Sequence, residues 1–66
     1  MNTVQRVYDL ADERGISIYK LSQMSEVPYS TIRMAAKRNG DLTVDVIERI
    51  SEALGITIAE FFSVFK

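Results

Sequence analysis

The chain has 66 residues, no cysteine, no histidine and a formal net charge of −1. That composition excludes disulfides, argues against a Cys/His zinc centre and removes the commonest acid–base catalyst. A chain of this length buries only roughly 60% of its unfolded surface. Its core must therefore be efficient, and residues 1–66 are expected to form one domain. The opening residues, Met1 to Arg6, contain no apolar stretch of the signal-peptide kind. No apolar run approaches the ~20 residues of a membrane span, so no membrane partner is expected.

In chain order, the first helix is expected over about Thr3 to Arg14. Asn2, with Gln5 three residues later, fits a capping box. Val4, Val7, Leu10 and Ala11 make one apolar stripe. Arg14 suits the negative end of the helix, and Gly15 suits the left-handed position beyond it. Asp9, Asp12 and Glu13 read as a solvated face, because no nucleophile or second ligand cluster lies nearby. The second helix is expected over about Ile18 to Ser25, capped by the Ser17 hydroxyl, with Leu21 and Met24 on its inner face.

Pro28 needs no amide partner and belongs in the first turn of a third helix, about Tyr29 to Arg38. It also pushes Val27 toward extended backbone, so the second and third helices stay separate. Ile32 and Ala35 form the inner stripe of the third helix. Tyr29, Ser30, Arg33 and Lys37 are left on its outer face. Asn39-Gly40 is a stop signal, and Leu42 is expected to tuck into the core. The fourth helix runs from about Val44 to Leu54, with Thr43 as N-cap, Asp45 in its first turn and Gly55 at its end. Its inner stripe is Ile47, Ile50 and Leu54, expected to share a core with Leu21, Val27 and Ile32. The box Thr57-Ile58-Ala59-Glu60 starts a fifth helix. Phe61 and Ile58 read as core, and Phe62 as partly exposed.

The charge is unevenly spread. Residues 16–40 carry Lys20, Arg33, Lys37 and Arg38 against Glu26, a balance of +3. Residues 41–66 carry Arg49 and Lys66 against Asp41, Asp45, Glu48, Glu52 and Glu60, a balance of −3. A local basic patch can hold phosphate even when the total charge is near zero. A short helix with a polar, cationic outer face, set at an angle by a preceding helix, is the geometry that enters a DNA major groove.

Gly15-Ile16-Ser17, Leu21-Ser22 and Val27-Pro28-Tyr29-Ser30-Thr31-Ile32 resemble the lambda-repressor/Cro-type helix-turn-helix family. The pattern continues through Ile47, Ile50, Ala53-Leu54-Gly55-Ile56-Thr57-Ile58 and Glu60-Phe61-Phe62. The resemblance implies an all-α, compact five-helix lambda-repressor-like DNA-binding domain. Its implied partner is double-stranded DNA, and its implied role is a transcriptional regulator, expected to be a repressor acting as a homodimer in the cytoplasm. Two positions depart from the family pattern. Many members carry a glutamine at Ile18 that touches a DNA phosphate and braces the recognition helix, and Tyr19 or Lys20 is the substitute here. The family usually has glycine at Glu26, where the turn needs positive φ.

The DNA-binding residues expected on this reading are Tyr19, Lys20, Pro28, Tyr29, Ser30, Thr31, Arg33, Met34, Lys37 and Arg38. Arg33 suits bidentate pairing with guanine, with a phosphate contact as the alternative. Lys37 and Arg38 lie near the helix end and suit phosphates. Ser30 and Thr31 contact either or stabilise the first turn. Tyr29 and Met34 are thymine-methyl readers unless Tyr29 packs over the second helix and Met34 fills a gap. The apolar tail, through Phe62 and Phe65, is a dimer contact, the alternative being packing within one chain. No catalytic constellation, cofactor, metal or small-molecule ligand is read from the sequence. The competing reading is a protein-interaction module of the same fold, antitoxin- or antirepressor-like, favoured by the acidic fourth helix and the apolar tail.

Overall fold

The computed structural model describes residues 2–38 and 40–64. It is all-helical, in the order α1 (Thr3–Glu13), α2 (Ile18–Ser25), α3 (Tyr29–Lys37), α4 (Val44–Leu54) and α5 (Ile58–Phe61).

Local chemistry accounts for most helix starts. The side chains of Asn2, Ser17, Thr43 and Thr57 each accept from a backbone amide three residues on. At Thr57 the Glu60 carboxylate reaches back to the cap amide at 3.0 Å, which completes a capping box. The box expected at α1 is only half formed, because the Gln5 amide group donates instead to Asp9 at 2.9 Å. The helix ends repeat one motif. Beyond α1, α2 and α4 a left-handed residue donates to the carbonyl three back, and the following apolar residue donates to the carbonyl five back. The left-handed residues are Gly15, Glu26 and Gly55, and the apolar ones are Ile16, Val27 and Ile56. Glu26, at φ 59°, is the one positive-φ residue other than glycine among the described residues. Gly40 is also left-handed, and Asn39 lies outside the described residues.

α2 sits between α3 and α4, and α1 closes over α2 and α3. One core joins Val7, Leu10 and Ala11 of α1, Leu21 of α2, Val27 of the turn, Ile32 of α3, Ile47 and Ile50 of α4, and Phe61 of α5. Burying each of the larger side chains contributes about 1.5–3 kcal/mol. Leu42 and Leu54 pack against this core but remain half-buried. Two expectations fail. Met24 is 44% exposed, and the residues of α2 buried beside Leu21 are Ser22 and Ser25. Ser25 keeps its hydroxyl satisfied by donating to the Leu21 carbonyl at 2.8 Å. Ile58 is 37% exposed, because the short α5 turns only Phe61 fully inward.

Two polar side chains anchor α1. Arg6 is 9% exposed; its Nε donates to the Phe61 carbonyl at 2.6 Å and its Nη2 to the Glu60 carbonyl at 2.9 Å. Its guanidinium also lies 6.0 Å from the Phe61 ring centre. A cation beside the last carbonyls of a helix answers acceptors that have no partner within the helix. At the other end of α1, the Asp41 carboxylate accepts from the Thr3 amide and the Gly40 carbonyl from the Val4 amide. The buried Thr3 hydroxyl accepts from the Leu42 amide at 2.7 Å. Thus α1 is tied to the α3–α4 link at its start and to α5 from its second turn.

Candidate nucleic-acid interface

The angle between α2 and α3 is set by Glu26 and Val27. The left-handed backbone of Glu26 turns the chain, and Val27, 2% exposed, pins the turn to the core. Pro28 follows at the N-cap of α3, one position earlier than its expected place in the first helical turn. Proline has no side-chain acceptor, so no side chain caps this end of α3. The Thr31 amide is satisfied by the Pro28 carbonyl at 3.0 Å.

Ile32 and Ala35 are buried and fix the inner face of α3. Tyr29, Ser30, Arg33, Met34, Lys37 and Arg38 are exposed on the helix and just beyond it, and Thr31 is half-buried. Tyr19 and Lys20 are exposed on the first turn of α2, and Pro28 is exposed in the turn. Met34, 55% exposed, fills no gap in the core. Tyr29 both faces solvent and packs toward α2: its ring lies 5.7 Å from that of Tyr19, edge to face at 73°. The Arg33 guanidinium stands 6.0 Å from the centre of the Tyr29 ring. An open groove of about 340 Å³ runs between the start of α1 and α3, with Gln5 and Tyr8 on one wall and Arg33 and Lys37 on the other.

Among the described residues, the acidic groups leave this face alone. Arg14 lies 3.9 Å from Glu13 and Arg49 lies 3.4 Å from Asp45. Lys20, Arg33 and Lys37 make no ion pair with a described carboxylate. Arg38 folds back, its Nε 3.4 Å from the Met34 carbonyl. Cations that hold no internal partner remain available to anions from outside.

The tail differs from this face. Phe62 is half-buried and packs edge to face on Phe61 at 5.1 Å, and Phe65 lies outside the described residues. Beside Phe62, Ile58 and Val64 are exposed. Among the described residues no group of three His, Cys, Asp or Glu is placed to hold a metal ion, and no helix is long and apolar enough to cross a membrane. Sequence reasoning named both Tyr19 and Tyr29 but did not pair them; ten residues apart on different helices, they carry no local signal of contact.

Residues 6–66 match the family model of the Cro/C1-type HTH DNA-binding domain. No curated protein and no solved structure matches the chain.

Proposed function

The chain belongs to the Cro/C1-type helix-turn-helix DNA-binding domain family, and from that premise we propose that it is a sequence-specific regulator of transcription that reads double-stranded DNA with α3. DNA binding and transcription regulation come with the family. The readers and the repressor role are our reading of this chain. The observation that carries it is the outer face of α3. There Arg33 and Lys37 stand free of described carboxylates on a helix whose other face is locked into the core.

Arg33 and Lys37 are four residues apart and share one face. With the N-terminal half of α3 toward the bases, Arg33 is deep in the groove, where guanidinium pairs bidentately with guanine. Lys37 and Arg38 then lie by the phosphates, as do Lys20 and Tyr19 at the start of α2. Ser30, Thr31, Tyr29 and Met34 line the approach to the bases, and Pro28 leaves the first turn of α3 open toward the backbone. Repressors of this family dock as dimers with recognition helices roughly 34 Å apart, a spacing carried over from the family's known docking. Residues 1–66 act on this reading as one DNA-binding unit, in the cytoplasm, and repress by occluding polymerase. Association runs through the α5 end, where Ile58 and Val64 are exposed beside Phe62. Sedimentation showing only monomer at high concentration, with and without operator, would reject the dimer.

Binding-site selection from random duplex, followed by titration at several salt concentrations, tests the reading. Arg33→Ala is expected to cost about 1–3 kcal/mol on the selected site and to relax preference at one base position. Lys37→Ala is expected to weaken all sequences alike and lower the salt slope by about one. If both variants bind the selected site as tightly as the parent, α3 is not the recognition helix. A protein-interaction module of the same fold then becomes the better account.

A further inference from the structure

The two cations of the α3 face are held differently. No described ring lies beneath Lys37, whereas Arg33 stands over the ring of Tyr29 at 6.0 Å. Tyr29 in turn meets the ring of Tyr19, from the first turn of α2, in an edge-to-face pair at 5.7 Å and 73°. The arrangement is a relay of three side chains on two helices. In such a pair the positive edge of one ring meets the negative face of the other. The same kind of face attracts a guanidinium. Nothing else described holds Arg33, since no described carboxylate pairs with it and Lys37 four residues on repels it. An exposed arginine otherwise samples many rotamers, and that freedom is lost when it pairs with a base.

We propose that Tyr19 is a positioning residue for DNA readout: by holding Tyr29 it aims the Arg33 guanidinium, so a side chain on α2 sets sequence preference at the base pair Arg33 reads. The proposal rests on the reading of α3 as the recognition helix. Tyr19 touches Arg33 only through Tyr29, and its effect is on how many conformations Arg33 must give up on binding. It therefore acts on discrimination among sequences, and not on the number of phosphates neutralised.

The test compares Tyr19→Phe and Tyr19→Ala, each with Arg33 present and in an Arg33→Ala background. The readouts are affinity for the selected duplex, affinity for the duplex altered at the Arg33 base pair, and the salt slope. Tyr19 is 58% exposed, so the alanine variant is expected to fold, and a cooperative melt checks this. Tyr19→Phe keeps the ring; any phosphate contact of the hydroxyl is lost on both duplexes alike, so affinity falls equally on the two and discrimination is expected to stay within about twofold of the parent's. Tyr19→Ala is expected to reduce discrimination by about two- to tenfold, the range of an aromatic pair, with the salt slope unchanged. In the Arg33→Ala background the same change is expected to do nothing further. Without DNA, the Arg33 side-chain proton resonances are expected to lose their ring-current shift in Tyr29→Ala and part of it in Tyr19→Ala. The proposal is overturned if Tyr19→Ala discriminates like the parent, if the loss persists without Arg33, or if Tyr19→Phe loses as much as Tyr19→Ala. That last result would place the discrimination on the Tyr19 hydroxyl and not on its ring. A parent that selects no duplex would remove the DNA reading itself, whereas a selective parent matched by an equally selective Tyr19→Ala removes the relay alone.

Discussion

Glu26 occupies a position that glycine holds at the two equivalent helix ends, so Glu26→Gly is an informative perturbation. The three ends share their hydrogen bonds: Glu26 donates to Gln23 at 3.4 Å, Gly15 to Asp12 at 3.1 Å and Gly55 to Glu52 at 3.1 Å. A non-glycine residue in left-handed backbone costs roughly 1–2 kcal/mol. Introducing glycine gives the unfolded chain extra freedom, which costs about 0.5–1 kcal/mol. The difference is a stability unchanged or raised by up to about 1.5 kcal/mol, or several degrees in the melting midpoint of a chain this short. Gly55→Ala is the reverse experiment. A Cβ at Gly55 meets no atom within 4 Å, so its expected loss of about 1 kcal/mol is purely conformational. Glu26→Ala keeps the strain and removes the carboxylate, and it is expected to stay within about 0.5 kcal/mol of the parent. Urea unfolding at constant m-value reads all three. A loss of more than about 1 kcal/mol in both Glu26→Gly and Glu26→Ala would refute the reasoning, because the carboxylate would then be the stabilising group.

Further expectations concern the anchors and the core. Arg6→Ala should lower stability by about 1.5–3 kcal/mol per charge-assisted bond left open, and Arg6→Lys should recover little, since one planar guanidinium serves two carbonyls; full rescue by lysine in thermal melts would contradict that geometry. Gly40→Ala should cost more than Gly55→Ala in the same denaturation series. Its Cβ would stand 2.6 Å from the Asn2 side-chain oxygen, so it strains the backbone and displaces the cap of α1. Ile50→Ala should cost roughly 2–5 kcal/mol, enough to unfold much of so small a protein. An unchanged cooperative melt of that variant would remove Ile50 from the core.

What was legible in the sequence was what short-range chemistry decides. Ser17, Thr43 and Thr57 cap because each hydroxyl meets an amide three residues on, and Gly15 and Gly55 end helices for reasons internal to one turn. The stripes of α1, α3 and α4 follow from helical periodicity. The left-handed turn at Glu26 was legible only through resemblance, since glutamate by itself signals helix. Met24 misled because the face of α2 that packs inward beside Leu21 carries Ser22 and Ser25, where an apolar residue would be the naive choice. The anchoring roles of Arg6 and Thr3 were not legible, because their partners lie 37 to 55 residues away. The α3 face was legible residue by residue, whereas the Tyr19–Tyr29–Arg33 relay needed the crossing of two helices.

The reach from Arg6 to Phe61 also bears on the order in which the structure can assemble. Contacts across 54 and 55 residues close the longest loop that these bonds define, and closure entropy grows with loop length. The pairing of α2, α3 and α4 joins neighbours in the chain and can form early. Phe61 is among the largest fully buried side chains, and it arrives on a four-residue helix that cannot stand alone. On a translating ribosome the core therefore waits for α5 to emerge. Until then the nascent chain carries an open apolar socket at the place Phe61 will fill, and Arg6 remains in water.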